Sequence, residues 1–218
     1  MSIDWAIVEM AAPLLGWGLL VTLQIAAVAG VLSILLGFTL GLLSLSQLKP
    51  VEWMVSAYVD FIRGTPLLIQ IFLVFFTLPV VIGLRLDEIT AGIVALAINT
   101  SAYVAETVRG AVGSIERGQS EAAKAIGMRR AGTLLHVLLP QALRPMLPPL
   151  TNELISMTKN TSLLSVISVY ELTRAGQAIV STHFVPFEIF SMLAIYYYVT
   201  IKALSWISRQ IEARMPAL

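Results

Sequence analysis

The sequence has 218 residues, of which 57% are hydrophobic and only 12% are charged, and its formal net charge is +1. Soluble domains carry about 25% charged residues, so a soluble domain of this composition would expose large apolar patches, and we predict an integral membrane protein instead. The near-neutral charge gives no reason to expect a nucleic-acid partner, and the lack of cysteine excludes disulfides, thiolate metal sites and cysteine catalysis.

The first long apolar segment follows a short N-terminal stretch that contains Asp4 and Glu9. This stretch has no basic residue, so it does not resemble a cleaved signal peptide. No residue between Met10 and Leu48 is charged, and this length exceeds the roughly 20 residues that a helix needs to cross a bilayer. We predict a first membrane helix over about Leu14 to Leu43, tilted in the bilayer. Its small residues offer faces for close helix packing: Gly30, Gly37 and Gly41.

A second membrane helix is predicted from Val51 to about Val81, with Asp60 and Arg63 well inside it. Charges inside a membrane span are costly and usually face the interior of a bundle or an aqueous cavity. The two side chains are one helical turn apart, so they could instead form a local pair with no further role. The residues that follow break the backbone hydrogen bonding and predict a hinge or gate: Gly64, Thr65 and Pro66.

The third membrane helix is predicted over about Ile89 to Val112. Its polar residues Asn99, Tyr103 and Glu106 recur at helical spacing and therefore share one face. Such a face more often contacts other helices than a ligand, but the carboxylate among them makes a substrate pathway an equal alternative.

A polar interval from Glu121 to Pro140 separates the third and fourth membrane helices. We predict a short helix from Ser120 to about Ile126, with Ser120 as its N-cap and Gly127 ending it in a left-handed conformation. A helix of two turns is not stable alone in water. The interval is therefore either an ordinary cytoplasmic loop or a docking element that a partner protein stabilises.

The fourth membrane helix is predicted to start at about Thr133 or Pro140 and to end near Met157. Its many prolines make it irregular, and irregular backbone at membrane depth is tolerated only in protein contact or beside a cavity. Glu153, next to Asn152, lies about 20 Å along the helix from Pro140, which is close to the middle of a membrane.

The last elements are a polar loop over Tyr170 to Phe187, with a short helix near Glu171 to Ile179, and a fifth membrane helix from Phe187 to about Ser208. Basic residues concentrate in the alternate connections that include the Glu121 to Pro140 interval. By the positive-inside rule these connections are cytoplasmic, so the N-terminus lies outside and the C-terminus inside.

The interval from Glu121 to Pro140 resembles the EAA loop in the permease subunits of bacterial ABC importers. That pattern is E-A-A, three residues, G, nine residues, I, one residue and L-P, and the sequence follows it with Val in place of Ile. The matching residues are Glu121, Ala122, Ala123, Gly127, Val137, Leu139 and Pro140. Further stretches resemble the polar amino-acid branch of this family, glutamine-type permeases above all: Phe61 to Gln70, Asn99 to Val112, Leu147 to Leu163 and Glu171 to Gln177.

The resemblance implies an all-α integral membrane protein of the MetI-like, type I ABC importer class, in which five transmembrane helices and a cytoplasmic coupling helix form a single domain over residues 1–218. The loop over about residues 119–140 would dock on an ABC ATPase. Two ATPase copies, a second identical or different permease chain and an extracytoplasmic amino-acid-binding protein, free or fused, would complete the complex in the bacterial inner membrane. ATP and Mg²⁺ would bind the ATPase, and this chain would need no cofactor.

The sequence contains no convincing enzyme motif. The glycine spacing of a Walker motif occurs at Gly127 and Gly132, but the lysine is missing and no strand precedes it. His136 and His183 are far apart, so neither a metal cluster nor a catalytic triad can be built. Two other classes of membrane protein compete with an importer subunit: a secondary carrier driven by an ion gradient, and a scaffold that transports nothing.

Depth along the helices predicts where a substrate would bind. Arg63, Asn99 and Glu153 each lie about 15 to 20 Å from a predicted helix end, so they could meet near the midplane. An amino acid needs a cation for its carboxylate and an anion for its ammonium group. Arg63 and Glu153 are the candidates, with Asn99, Tyr103 and Asn152 as neutral contacts. Alternatively, Arg63 and Glu153 pair with each other or belong to a gate. Glutamine and the basic amino acids both remain possible substrates.

Overall fold

The computed structural model describes residues 5–46 and 48–214, and every regular element among them is helical. Residues 1–4, Gln47 and residues 215–218 lie outside the described residues, so part of the stretch that argued against a signal peptide, and both ends of the predicted domain, do too. The α-helices are α1 (Trp5–Ser44), α2 (Lys49–Gly64), α3 (Leu67–Phe72), α4 (Leu78–Ile82), α5 (Glu88–Gly113), α6 (Arg117–Ala125), α7 (Arg130–Thr133), α8 (Leu139–Asn160), α9 (Leu172–His183) and α10 (Pro186–Arg214). Two π-helical turns (Leu73–Thr77 and Leu134–Leu138) and a 3₁₀ segment (Thr161–Ile167) join neighbouring helices.

The helix α1 is longer than predicted at its N-terminal end and packs along most of α5. Glycine allows the two backbones to approach closely. A β-carbon on Gly37 would lie 2.5 Å from the carbonyl oxygen of Ser101, and one on Gly41 would lie 2.6 Å from the β-carbon of Val108. The prediction that small residues of the first helix serve packing is therefore confirmed at these two positions, and also at Gly30, where a β-carbon would lie 3.2 Å from the side chain of Leu154 on α8.

The core lies where α1, α5, α8 and the 3₁₀ segment meet. Its fully buried side chains are apolar: Ile25, Ala29, Ile71, Leu96, Met157 and Leu164. At the start of α5, Asp87 caps the helix by accepting hydrogen bonds from the backbone nitrogen and the hydroxyl of Thr90, at 2.8 and 2.7 Å. These hydrogen bonds lower the pKa of the Asp87 carboxyl, so the cap is ionised at neutral pH.

The second predicted helix is divided into two arms at the residues that predicted a break. The arm α2 ends at Gly64, and α3 begins at Leu67 after an extended Thr65 and Pro66. The second arm, which continues through a π-helical turn into α4, makes an angle of 107° with α2. Proline causes the break because it has no backbone N–H and disfavours helical geometry in the residue before it.

The polar interval after α5 forms α6, but one turn earlier than predicted. Glu116 occupies the N-cap position, whereas the hydroxyl of Ser120 lies inside the helix and donates to the carbonyl of Arg117 at 3.0 Å, so the prediction of Ser120 as N-cap is wrong. The extra turn forms because residues 117–119 have no breaker strong enough to exclude them. Gly127 has a φ of 81° just beyond the helix end, which confirms the predicted left-handed stop.

A continuous helical run follows this turn and extends from Arg130 to Asn160. The helix α7 passes through a π-helical turn into α8, so the predicted alternative starts at Thr133 and Pro140 both lie within one helical run. Pro140 has no N–H to donate, and the side chain of Gln141 donates to the carbonyl of Val137 at 2.8 Å beside it. The run ends at Asn160, slightly later than predicted.

The segment after α8 contains the predicted short helix, and one face of this helix is buried. The helix α9 packs against α1 at Gly18, where a β-carbon would lie 3.0 Å from the α-carbon of Leu172. Glu171 caps α9 and is fully buried, accepting from the backbone nitrogens of Thr173 and Arg174 at 3.0 and 2.8 Å. The predicted short helix near Glu171 to Ile179 is therefore confirmed, and the carboxylate at its start is satisfied by protein groups and not by water.

Three described helices are long and apolar enough to cross a membrane: α1, α5 and α10. The bent pair of α2 with α3 and α4 makes four if it is counted as one span. The helix α8, predicted as a span, is not among these candidates, and it contains Arg144, Glu153 and Lys159. The described residues thus contain three or four candidate spans by length and composition, and the count of five stays a prediction.

Candidate functional site

A cavity of about 320 Å³ lies between the break in the bent helix pair, α5 and α8. The bent pair contributes Thr65, Pro66 and Leu67, which are extended or have just re-entered a helix. The remaining lining comes from the two straight helices: Asn99, Thr100, Tyr103, Glu153, Ser156, Met157 and Asn160. The lining is rich in polar groups, although α5 is apolar enough to cross a membrane.

Three of the predicted pathway residues meet in this cavity, namely Asn99, Tyr103 and Glu153. The two on α5 are one turn apart, which places both on the face directed at α8. The carboxylate of Glu153 forms no ion pair with any described residue. The cavity therefore presents an acidic group that is free to receive a cation.

Arg63 lies beside the cavity and not among its lining residues. Its guanidinium is 5.5 Å from the centre of the Tyr103 ring and 4.0 Å from the carboxylate of Glu106. It also acts electrostatically on Glu153. Asp60 instead accepts a hydrogen bond from Ser56 at 3.4 Å, so the alternative of a local Asp60–Arg63 pair does not occur in residues 5–46 and 48–214.

A second, charged cleft of about 250 Å³ lies on the other side of Arg63. Glu106 is its central group, because it accepts hydrogen bonds from the guanidinium of Arg109, one of them at 3.0 Å, and also faces Arg63. Arg63 thus contacts both Tyr103, which lines the cavity, and Glu106 in the cleft, with 43% of its side chain exposed.

Asn152 is exposed and does not line the cavity. It precedes Glu153 on α8, and adjacent residues of a helix point in different directions. Asn152 therefore lies outside the cavity although it is next to Glu153 in the sequence.

Gln70 is a site residue that the sequence did not single out. Its side chain is 4% exposed and lies behind the cavity wall, where its oxygen accepts a hydrogen bond from Asn99 at 3.0 Å. Its position in an otherwise apolar helix, four residues after Pro66, was the available signal.

The segment that resembles the coupling loop lies apart from the cavity. In α6, Ala123 is buried against the rest of the chain, while Glu121 and Ala122 are exposed. Gly127 and Pro140 are exposed too, and the apolar side chain of Ile126 is 79% exposed. The segment is thus anchored on one side and open on the other.

No group of three or more potential metal ligands occurs in residues 5–46 and 48–214. His136 is directed at the carbonyl of Gly132 at 3.1 Å, and His183 contacts the hydroxyl of Thr182 at 2.8 Å. Both histidines therefore have partners within their own helices.

A polar cavity beside a helix that is apolar enough to cross a membrane is typical of a membrane transport protein. The chain matches the family model described as binding-protein-dependent transport system inner membrane component over residues 12–216. It is 42% identical to the glutamine transport system permease protein GlnP of Escherichia coli (strain K12), over 100% of both chains. It is 32% identical to the arginine transport system permease protein ArtQ of Bacillus subtilis (strain 168), over 99% of this chain and 98% of that protein.

Solved structures of ABC transporters have the same fold as this chain. A crystal structure described as an amino acid ABC transporter with histidines superposes with a TM-score of 0.91 and 37% identity, over 99% of this chain and 100% of that one. The MetNI methionine ABC transporter in an inward-facing form shares the fold, with a TM-score of 0.81 at 22% identity, over 96% and 99% of the two chains.

The chain belongs to the family of binding-protein-dependent transport system inner membrane components, the permease subunits of ABC importers. It is a multi-pass membrane protein with the MetI-like fold, and ATP hydrolysis is carried by a separate subunit of such a complex. The interpretation as an importer subunit is thereby confirmed over that of a carrier driven by an ion gradient.

Proposed function

We propose that this chain provides the membrane path for a polar amino acid, with glutamine or a basic amino acid as the substrate, and that the cavity beside Glu153 is the binding site. The observation that carries the proposal is a carboxylate in a polar cavity beside the apolar helix α5, without an ion-pair partner among the described residues. The names of the relatives, which refer to glutamine and arginine, support the same substrate class.

The two charged ends of an amino acid fit the charges at the cavity. Glu153 would receive the ammonium group or a cationic side chain, and Asn99 and Tyr103 would offer neutral hydrogen bonds. Arg63 lies at the edge, where it could receive the substrate carboxylate or close the path by pairing with Glu106. The flanking Gly64, Thr65 and Pro66 would act as the hinge of that gate, because they form the break between the two arms.

The exposed residues Glu121, Ala122, Gly127 and Pro140 would dock on the ATPase, with the buried Ala123 anchoring the segment to the permease. An exposed isoleucine at the end of a short helix supports this role, because a short helix gains stability when a partner covers its apolar residue. ATP and Mg²⁺ would bind the ATPase subunit, and this chain would bind only the amino acid.

The assembly would contain two permease chains, identical or different, two ATPase subunits and an extracytoplasmic binding protein. Two chains are proposed because a cyclic pair is the simplest closed assembly that can enclose a path between subunits. The chain would sit in the bacterial inner membrane as one domain with five spans, its N-terminus outside and its C-terminus inside.

Uptake into vesicles tests this function. The chain, its ATPase and the binding protein are reconstituted, and uptake of a panel of radiolabelled amino acids is measured with and without ATP. We expect ATP-dependent uptake of glutamine or of arginine, lysine or histidine. Uptake that needs no ATP and follows an ion gradient, or ATP-dependent uptake confined to apolar amino acids, would contradict the proposal.

A further inference from the structure

The break between the two arms leaves a backbone carbonyl without its helical partner. In an uninterrupted helix the carbonyl of Ile62 would accept from the N–H four residues later, but that residue is Pro66, which has none. The side-chain amide of Gln70 takes this place. Its nitrogen donates to the Ile62 carbonyl at 2.7 Å, which ties the second arm back to the end of the first.

The same amide also holds the residue at the break. Its nitrogen lies 2.8 Å from the hydroxyl of Thr65 and 3.2 Å from the carbonyl of Thr65. The hydroxyl of Thr65 in turn donates to the carbonyl of Phe61 at 2.9 Å. Gln70 thus satisfies backbone and side-chain groups on both sides of the break, while being almost fully buried itself.

The other end of the Gln70 amide faces the cavity wall. Its oxygen accepts from the side-chain nitrogen of Asn99 at 3.0 Å, and Asn99 lines the cavity. The first arm has a separate attachment to α5, because the hydroxyl of Tyr58 donates to the carbonyl of Ile98 at 2.8 Å. The hydrogen bonds of Gln70 therefore attach the second arm both to the first arm and, through Asn99, to α5.

We propose that Gln70 is a positioning residue that latches the bent helix pair at its present angle and links that angle to the occupancy of the cavity through Asn99. A substrate that hydrogen-bonds to Asn99 competes for the group that holds Gln70. Weakening this contact releases the second arm, whose first residues form one side of the cavity. The inference rests on the proposed substrate path for its link to transport, but not for the latch itself.

The variant Gln70→Met tests the latch, because methionine has a similar length and volume but no amide. The natural chain has no cysteine, so spin labels can be placed at Trp53→Cys on the first arm and Val80→Cys on the second. Both of these side chains are exposed, at 71% and 83%. In the assembled complex we expect one narrow distribution of label distances with Gln70 and a broader, shifted one with Gln70→Met.

Transport provides a second readout. The amount of amino acid moved per ATP hydrolysed should fall about tenfold in Gln70→Met. The loss of one hydrogen bond typically changes an equilibrium constant several-fold, and this variant loses more than one. A purely structural role would lower the yield, the uptake and the ATP hydrolysis together and leave their ratio unchanged. The same substitution at the exposed Gln24, Gln24→Met, is the matched control and should change neither the ratio nor the distances.

The label distances and the transport ratio together decide whether Gln70 acts as a latch. Unchanged label distances and an unchanged ratio in Gln70→Met would overturn the latch. If that variant does not fold, Gln70→Asn serves instead, because its shorter amide cannot span Ile62 and Asn99 and should broaden the distances in the same way. If the parent complex moves no amino acid, the proposed function fails, whereas the label distances still decide whether Gln70 holds the arms.

Discussion

At the scale of single residues, polar groups inside this chain differ in whether they are satisfied. Glu171 is fully buried, yet its carboxylate accepts from two backbone nitrogens and from the hydroxyl of Tyr197 at 3.0 Å. Glu153 has no ion-pair partner among the described residues and borders a cavity. The first carboxylate connects α9 to α10 and α1, and the second is the group that we propose contacts a ligand.

Substitution of Glu153 by glutamine tests this distinction. The variant Glu153→Gln keeps the size of the side chain and removes its charge, so we expect the apparent affinity for a substrate held by its cationic group to fall about tenfold or more. Concentration-dependent uptake in reconstituted vesicles measures it. The matched control is Glu9→Gln at an exposed position, which should transport normally. Unchanged uptake and preference in Glu153→Gln would show that the carboxylate does not contact substrate.

Single residues also mark the limit of prediction from sequence. Helical periodicity grouped Asn99, Tyr103 and Glu106 on one face of α5, and the first two line the cavity whereas Glu106 lines the neighbouring charged cleft. The roles of Gln70 and Glu171 were not predictable in this way. Each depends on partners 29 or more positions away in the chain, Asn99 for the first and Thr22 for the second, and local spacing carries no information about such pairs.

At the scale of elements, the close contact of α1 with α5 depends on glycine. The variant Gly41→Ala would place a methyl group 2.6 Å from the β-carbon of Val108, so the helices must separate, and we expect a loss of about 1 to 3 kcal/mol in stability. The midpoint of thermal unfolding in detergent measures this loss. On the same helix Gly16 has no atom within 4 Å of an added β-carbon, so Gly16→Ala should leave the midpoint unchanged or raise it.

The helix α6 offers a second test at this scale. If its exposed face docks on the ATPase, Glu121→Lys reverses a charge in the contact and should abolish most ATP-driven uptake while leaving the permease folded. Uptake and co-purification of the ATPase are measured together, with Glu9→Lys as the control at the far end of α1. Full uptake with the ATPase still bound would rule out a coupling role for Glu121.

Element boundaries followed the sequence where a strong local signal existed. Gly127 and Pro66 mark real interruptions because a left-handed residue and a missing N–H act within a single turn. The start of α6 and the burial of α9 were not predicted. The first depends on weak preferences near Arg117, and the second on packing against Gly18, which is distant in the chain.

At the scale of the whole molecule, the proposed orientation can be measured because the chain contains no cysteine. Ile126 and Phe184 are 79% and 84% exposed, so each can be replaced by a single reactive cysteine. In the proposed topology Ile126 lies on the cytoplasmic side of the membrane and Phe184 on the outer side. In intact cells a membrane-impermeant thiol reagent should label Phe184→Cys, and Ile126→Cys should react only after the membrane is opened. The reverse pattern would invert the topology. Addition of the ATPase should then protect Ile126→Cys.

The unbroken helical run from α7 to α8 connects the exposed surface near α6 with the cavity. Arg130, next to the exposed end of α6, and Glu153, at the cavity, belong to the same run, about 35 Å apart at 1.5 Å per residue. A tilt of about 5° over that length displaces one end by about 3 Å, which is comparable to a hydrogen-bond distance. A small rotation at the exposed surface therefore has the reach to make or break a contact of Glu153 without any helix unfolding.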